Sequence, residues 1–134
     1  MLGELIYQAK GKITGTRVLN ADENKVEHSA GGEGRFNDID VNEIDTFWAI
    51  HVGNNVYQGE GQGIITTKDG RENVTFKGYG VGPISESGKI SFRGTNFYKT
   101  VSNGKLSFLN NMVGVFEFEV DESGNFQIKV WEWK

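Results

Sequence analysis

The sequence contains no cysteine, a single proline and no long apolar run. Without cysteine the chain has no disulfide framework and no thiolate chemistry, so its stability must come from packing and from hydrogen bonds. No segment approaches the run of about 18 apolar residues that a membrane-spanning helix needs, and residues 1–12 lack the apolar core and cleavage site of a signal peptide. These absences predict a soluble, cytoplasmic protein.

Basic clusters are also missing. The 14 lysines and arginines are scattered among 18 acidic residues, and the formal net charge is −4. Nucleic acids and anionic membrane surfaces attract basic stripes, so neither is an expected partner. His28 and His51 lie apart on predicted strands without metal-ligand spacing, and the glycines alternate along strands instead of opening a helix. No metal and no cofactor is therefore predicted.

What the chain does contain is glycine, at 19 of 134 residues, together with 12% aromatic and 37% hydrophobic residues. This length and composition predict one globular domain over residues 1–134. Glycine that alternates with other residues, in a chain almost without proline, is typical of strands that bend sharply or approach other groups closely.

The central stretch, residues 56–82, reads VYQGEGQGIITTKDGRENVTFKGYGVG. Its Asp-Gly turn at residues 69–70, between two alternating runs, predicts a β-hairpin. Pairing the residues on either side of this turn sets Gly63 opposite Phe76. The face that holds the glycines is predicted to be the core, because it also holds Ile65, Val74 and Phe76. The opposite face holds Gln58, Glu60, Gln62, Lys77 and Tyr79.

A second turn, at residues 53–55, determines how the preceding strand meets this hairpin. A two-residue loop at either 53–54 or 54–55 places Trp48 opposite Gly59 or Gly61. The bare glycine backbone then gives an indole ring room to lie flat on the sheet. The sequence therefore predicts that Trp48 belongs to the core, and this packing role is preferred to a glycine-lined ligand pocket.

The rest of the chain favours an all-β fold. Residues 83–88 are predicted to form a loop, and residues 106–112 hold at most one short helical turn that closes a barrel end. The last hairpin pairs Val120 with Phe126 around a loop at residues 121–125. About eight strands, separated by turn signals every 8–12 residues or so, predict a single closed antiparallel barrel.

Three segments resemble a family of small uncharacterised prokaryotic proteins: residues 57–70, the Arg93-Gly94 pair after ISF, and residues 116–134. The strand pattern and glycine spacing are similar to the calycin-like barrels, in particular the group that contains allene oxide cyclase and the dirigent proteins. This resemblance implies a closed, often oligomeric barrel that holds an apolar substrate with few catalytic groups. It transfers no catalytic residue to this chain.

Candidate site residues come from the polar face of the central hairpin, where Glu60 falls opposite Tyr79 and Gln62 opposite Lys77. If this face lined the interior, Glu60 and Tyr79 could perform acid–base chemistry with Arg93 as an anion partner. If it faces solvent, which the apolar opposite face favours, these are ordinary surface pairs. The candidates for ligand binding are Trp48, Gln62, Lys77 and Tyr98.

The leading functional expectation is a small protein that binds an apolar or amphipathic molecule at the barrel mouth. The first alternative is a cofactor-independent isomerase or cyclase, which requires Glu60, Tyr79 and Arg93 to converge in one enclosed pocket. The second is a structural or oligomer-forming protein with a filled barrel, in which Trp131 and Trp133 anchor a subunit interface. Whether the protein is an enzyme stays open.

Overall fold

The computed structural model describes residues 2–83 and 89–134, and these form eight strands and one short 3-10 helix, Ser107–Leu109. The strands are β1 (Leu2–Asn20), β2 (Lys25–Phe36), β3 (Ile39–His51), β4 (Val56–Thr67), β5 (Asn73–Pro83), β6 (Ile90–Lys99), β7 (Val113–Val120) and β8 (Asn125–Trp133). Strands that are neighbours in the chain pair antiparallel, and β1 pairs with β8. The sheet therefore closes on itself, which confirms the predicted all-β barrel.

Two features complete this outline. Within the described ranges, no helix is long and apolar enough to cross a membrane. The loop predicted at residues 83–88 lies, beyond Pro83, outside the described residues.

The register of the central hairpin is found as predicted. Between β4 and β5, Gly63 pairs with Phe76 and Glu60 pairs with Tyr79. Ile65, on the glycine-bearing face, is fully buried, whereas Tyr79 is 63% exposed. The β7–β8 hairpin also pairs as predicted around its loop. The predicted inside and outside of the central hairpin are therefore confirmed.

The prediction that Trp48 packs over the glycines is wrong. The turn between β3 and β4 has three residues, 53–55, whose φ angles are all positive at 96°, 53° and 59°. Glycine and asparagine are the residues that adopt this conformation most readily, so Gly-Asn-Asn fits the longer turn. Trp48 consequently pairs with Glu60, and Phe47 pairs with Gly61. Because a slip of one residue exchanges the two faces of a strand, Phe47 points inward and Trp48 outward.

Aromatic rings do lie over bare glycine backbone inside the barrel, but they belong to phenylalanines. A Cβ added to Gly63 would lie 2.5 Å from the ring of Phe76, and one added to Gly80 would lie 3.1 Å from the ring of Phe116. Glycine on one strand thus makes room for a ring from another strand. The glycines make room for aromatic rings, as predicted, but the rings are those of Phe76 and Phe116 and not that of Trp48.

One end of the barrel is closed by the segment between β6 and β7. Leu106 and Leu109 are fully buried there and join the hydrophobic core. The Glu72 carboxylate holds the segment in place by accepting hydrogen bonds from the backbone N–H of Lys105 at 3.1 Å and from the hydroxyl of Ser102. The single helical turn predicted for this region is confirmed.

Two substitutions, one on the inner face and one on the outer face of the barrel, test the register of β3. Phe76→Ala should lower the free energy of unfolding by about 3–5 kcal/mol, because it empties space in the core. Trp48→Ala should cost less than about 2 kcal/mol, since the indole lies on the outer face. Urea unfolding of both variants provides the measurement. A loss for Trp48→Ala equal to that for Phe76→Ala would contradict the register.

Candidate functional site

Two carboxyl groups lie inside the barrel. The register of β3 turns Val41, Glu43, Asp45 and Phe47 towards the interior, and Glu43 keeps only 3% of its surface exposed. Residues two apart on a strand share a face, so the Glu43 and Asp45 side chains are neighbours. They are hydrogen-bonded to each other. A pair of acids thus occupies positions that otherwise carry apolar residues.

Tyrosine and asparagine side chains extend this polar group. The Tyr7 hydroxyl donates a hydrogen bond of 2.7 Å to Glu43 Oε1. The Asn96 amide donates one of 3.3 Å to the Tyr98 hydroxyl. Gly78 leaves the space for this arrangement, because a Cβ at that position would overlap Asn96 Oδ1. We refer to Tyr7, Glu43, Asp45 and Asn96 as the carboxyl cluster.

The environment determines which members of the cluster hold protons. Burial raises the pKa of Asp45 far above its ordinary value, and the hydrogen bond to Glu43 and the charge of Glu43 raise it further. Asp45, partly buried beside the buried Glu43, therefore retains its proton at neutral pH. Burial also raises the pKa of Tyr7, as do the charge and hydrogen bond of Glu43. The cluster therefore presents a protonated Asp45, the carboxyl group of Glu43 and the phenol of Tyr7 to the interior.

A pocket of about 70 Å³ lies against the cluster, and glycine backbone of β4 and β5 forms part of its lining. Its polar lining residues are Glu43, Asp45, Asn96, Thr46 and the predicted candidates Glu60 and Gln62. Its apolar lining consists of Phe47, Phe76, Phe92, Phe116, Phe118 and Ile128. The rings of Phe47 and Phe118 contact each other edge to face, with centroids 5.3 Å apart. The pocket thus combines aromatic walls with a few convergent polar groups, which is the usual composition of a small-molecule site.

The residues predicted for acid–base chemistry converge on the outer wall. Glu60, Tyr79 and Arg93 line a groove of about 450 Å³ together with Trp48 and Lys25. The Lys25 ammonium lies 5.7 Å from the centre of the Trp48 ring. A hydrogen bond to Glu60 raises the pKa of Tyr79. These residues do not form the enclosed pocket that the isomerase alternative required of them, and their part in binding or catalysis stays a prediction.

The other predicted ligand-binding residues are dispersed. Gln62 and Lys77 pair across the outer wall and are exposed. Tyr98 lies inside, 3% exposed, next to Asn96. His28 has a neighbour in the Thr16 hydroxyl, 3.1 Å from Nδ1, and burial lowers its pKa. In the part of the chain that the structure describes, no group of three or more histidine or acidic side chains is suited to a metal ion.

The sequence reasoning missed the carboxyl cluster because it assigned the wrong length to the turn at residues 53–55. A two-residue loop turns Glu43 and Asp45 outward, whereas the three-residue loop turns them inward. The parity of apolar residues could not have corrected this error, because Ile44, Trp48 and Ile50 are apolar on the opposite face of β3. The only local hint was that three successive residues at the turn tolerate positive φ.

Comparison with known proteins bears on the fold. No family model matches the chain, and no curated protein matches its sequence. A conserved protein of unknown function from Rhodopseudomonas palustris has a similar structure, with a TM-score of 0.78, 16% identity and coverage of 98% of this chain and 97% of the other. A protein of unknown function from Clostridium acetobutylicum matches with a TM-score of 0.78, 13% identity and coverage of 98% of each chain. The chain is a small β-barrel similar to these two.

The buried acid pair predicts an unusual dependence of stability on pH. The folded pKa of Asp45 exceeds its unfolded value of about 3.9, so its contribution to stability is complete below about pH 4 and is lost as the pH rises towards the folded pKa. Asp45→Asn imitates the protonated acid and removes this loss. Between pH 5 and 8, urea unfolding should show wild type losing up to about 1.4 kcal/mol per pH unit relative to Asp45→Asn.

Asp121→Asn is the control for this measurement. Asp121 lies in the β7–β8 loop, where hydrogen bonds from the backbone and side chain of Asn125 lower its pKa. Its stabilising contribution is therefore present above the ordinary pKa and is lost at acid pH, which is the opposite sign. Parallel stability curves for wild type and Asp45→Asn from pH 5 to 8 would show that the Asp45 pKa is not raised.

Proposed function

We propose that this barrel binds a small, mainly apolar molecule whose single polar group is held by the carboxyl cluster. The observation that carries the proposal is the pocket of about 70 Å³, in which Glu43, Asp45 and Asn96 face phenylalanine rings. The apolar walls would receive the body of the ligand, and the cluster would both donate and accept hydrogen bonds. The polar group of the ligand would therefore be orientated towards β3.

The size of the pocket limits what it encloses. An apolar cavity of about 150 Å³ holds benzene, so a cavity of half that volume holds a group of a few heavy atoms. Asp45 and Phe47 retain some exposed surface, so the pocket is not sealed. The remainder of a larger ligand would extend along the open part of the barrel.

The energetic cost of the carboxyl cluster supports a functional role. Removing an ionised or hydrogen-bonding group from water is unfavourable by several kcal/mol unless partners compensate for it. Apolar residues of similar size at positions 43 and 45 would fill the same space without that cost. Strongly shifted acids in a pocket are a frequent property of binding and catalytic sites.

The proposal also includes the expected location, the cytoplasm, and the resemblance to the allene oxide cyclase group. A cytoplasmic barrel that accommodates an apolar molecule agrees with both. A homo-oligomer anchored by the tryptophans of β8 stays a prediction. Trp133 is 56% exposed, and Trp131 is partly buried on the outer wall.

A matched pair of isoleucine substitutions tests binding inside the barrel. The probe is 2-methylpropan-1-ol, titrated into ¹⁵N-labelled protein while the amide signals of Gly61 and Gly78 are followed by NMR. We expect a saturable shift of these signals, because both residues line the pocket. Ile128→Phe fills the pocket and should weaken binding at least tenfold. Ile64→Phe, at a position that is 44% exposed, should leave binding unchanged.

The outcomes separate binding from a filled barrel. Saturable shifts that Ile128→Phe removes and Ile64→Phe preserves would support the pocket. Absence of any saturable shift at the pocket amides of wild type would overturn the proposal and favour a structural protein. Equal loss of binding in both isoleucine variants would place the alcohol somewhere other than the pocket.

A cofactor-independent isomerase is the second candidate, favoured by the adjacent acid and carboxylate of Asp45 and Glu43. Asp45 would donate its proton to a carbonyl oxygen while Glu43 removes a proton from the neighbouring carbon, which yields an enol. The probe is 2-butanone in D₂O, with exchange of its α-hydrogens measured by NMR. Wild type should exchange them at least tenfold faster than buffer, and Asp45→Asn should not. Exchange at the buffer rate during saturable binding would exclude this chemistry.

A further inference from the structure

We propose that the polar group of the ligand is a protonated amine, held between the carboxyl groups of Glu43 and Asp45. This inference rests on the proposed function and names the chemical class of its ligand. Its geometry is that of two neighbouring carboxyl groups in a pocket that is also lined by five phenylalanines. An ammonium group would lie between the two carboxyl groups, and its alkyl body would contact the phenylalanines.

No lysine or arginine of the described residues lines the pocket beside the acid pair. All fourteen lysines and arginines fall in the described ranges, where thirteen are exposed and Lys25 is half-buried on the outer wall against Trp48. Glu43 accepts a hydrogen bond from Tyr7, which is neutral. A buried charge is ordinarily paired with an opposite charge. In this barrel that opposite charge would come from the ligand.

The walls of the pocket suit an organic cation. Phe47, Phe92 and Phe118 line it, and their ring faces carry the negative part of the aromatic quadrupole. Cations near such rings gain further stabilisation, which is larger when the site excludes water. A carboxylate ligand would instead meet a second negative charge without compensation. The pocket therefore favours an amine over an alcohol, and an alcohol over an acid.

Binding of an ammonium group requires a proton to leave the site. In the free protein Asp45 carries a proton, and the amine arrives with its own proton because its pKa is close to the value of about 10.4 for lysine. On binding, the O–H bond of Asp45 breaks and the proton passes to the buffer. Both carboxylates then face one ammonium group. The overall exchange is one proton released for each amine bound.

Proton release gives the experiment its pH dependence. The affinity for 2-methylpropan-1-amine should rise tenfold per pH unit between pH 7 and 8, whereas that for 2-methylpropan-1-ol should stay constant. Carbon-13 NMR of the Asp45 carboxyl group should show ionisation with the amine and retention of the proton with the alcohol. At pH 8 the amine should bind at least tenfold more tightly than the alcohol, which has the same carbon skeleton.

Two variants complete the design. Asp45→Asn has no proton to release, so its affinity for the amine should fall at least tenfold and lose its pH dependence. Asp38→Asn, which changes an exposed acid in the turn between β2 and β3, should bind both probes like wild type. Dispersed ¹⁵N amide signals of Asp45→Asn, matching those of wild type away from the pocket, show that the variant folds.

Other ionisable side chains face this site from the neighbouring strands. They are Glu43 and His51 on β3, Tyr7 on β1, His28 on β2, Tyr57 on β4 and Tyr98 on β6, and Glu60 on β4 also lines the pocket. Burial lowers the pKa of His28 and raises that of Tyr98, which moves both away from the interval between pH 7 and 8. The Tyr7 pKa is raised as well. The carbon-13 signal of the Asp45 carboxyl group reports the ionisation of Asp45 itself, so this ionisation is distinguished from that of all the other groups.

Each result has a distinct meaning. Tighter binding of the amine with ionisation of Asp45 would support the inference. Equal or weaker binding of the amine, or amine binding with Asp45 still protonated, would overturn the inference and leave the proposed function standing. Binding of neither probe to wild type would overturn both.

Discussion

The interior of this barrel depends on the register between β3 and β4. That register is set by the three residues at 53–55, each with positive φ. It turns Glu43, Asp45 and Phe47 inward and Trp48 outward. Closure of β1 on β8 leaves every strand paired on both sides, so no strand can slip without disturbing its two neighbours. One small turn thus decides which side chains meet in the pocket.

Glycine gives this interior its shape. Side chains fill small barrels of eight strands, and space remains where glycines on one strand receive groups from another. Gly63 and Gly80 accommodate phenylalanine rings, and Gly78 accommodates the amide of Asn96. Glycine at positions where a larger side chain would clash therefore serves both the packing of the core and the shape of the pocket. The aromatic walls and the polar cluster are two results of a single architectural device.

Local patterns predicted most of the fold and little of the site. The Asp-Gly turn at residues 69–70 predicted one register, and the loop at residues 121–125 predicted the β7–β8 pairing. Both signals lie within a few residues of the turn they describe. Glu43 and Tyr7 meet across 36 positions of sequence, and only closure of the barrel brings them together. A turn that could hold two or three residues left the parity of β3 undecided, so nothing local identified Glu43 as buried.

The inner and outer faces of strands β3 to β6 differ in what they indicate about function. Exposed residues such as Arg93 and Tyr79 remain hydrated, so their presence in the outer groove imposes little energetic cost. Glu43 is buried and Asp45 is partly buried, and no described lysine or arginine lines their pocket. Stability alone would favour apolar residues at both positions. The cost that the fold tolerates at these two positions is the physical reason for looking for the ligand inside the barrel.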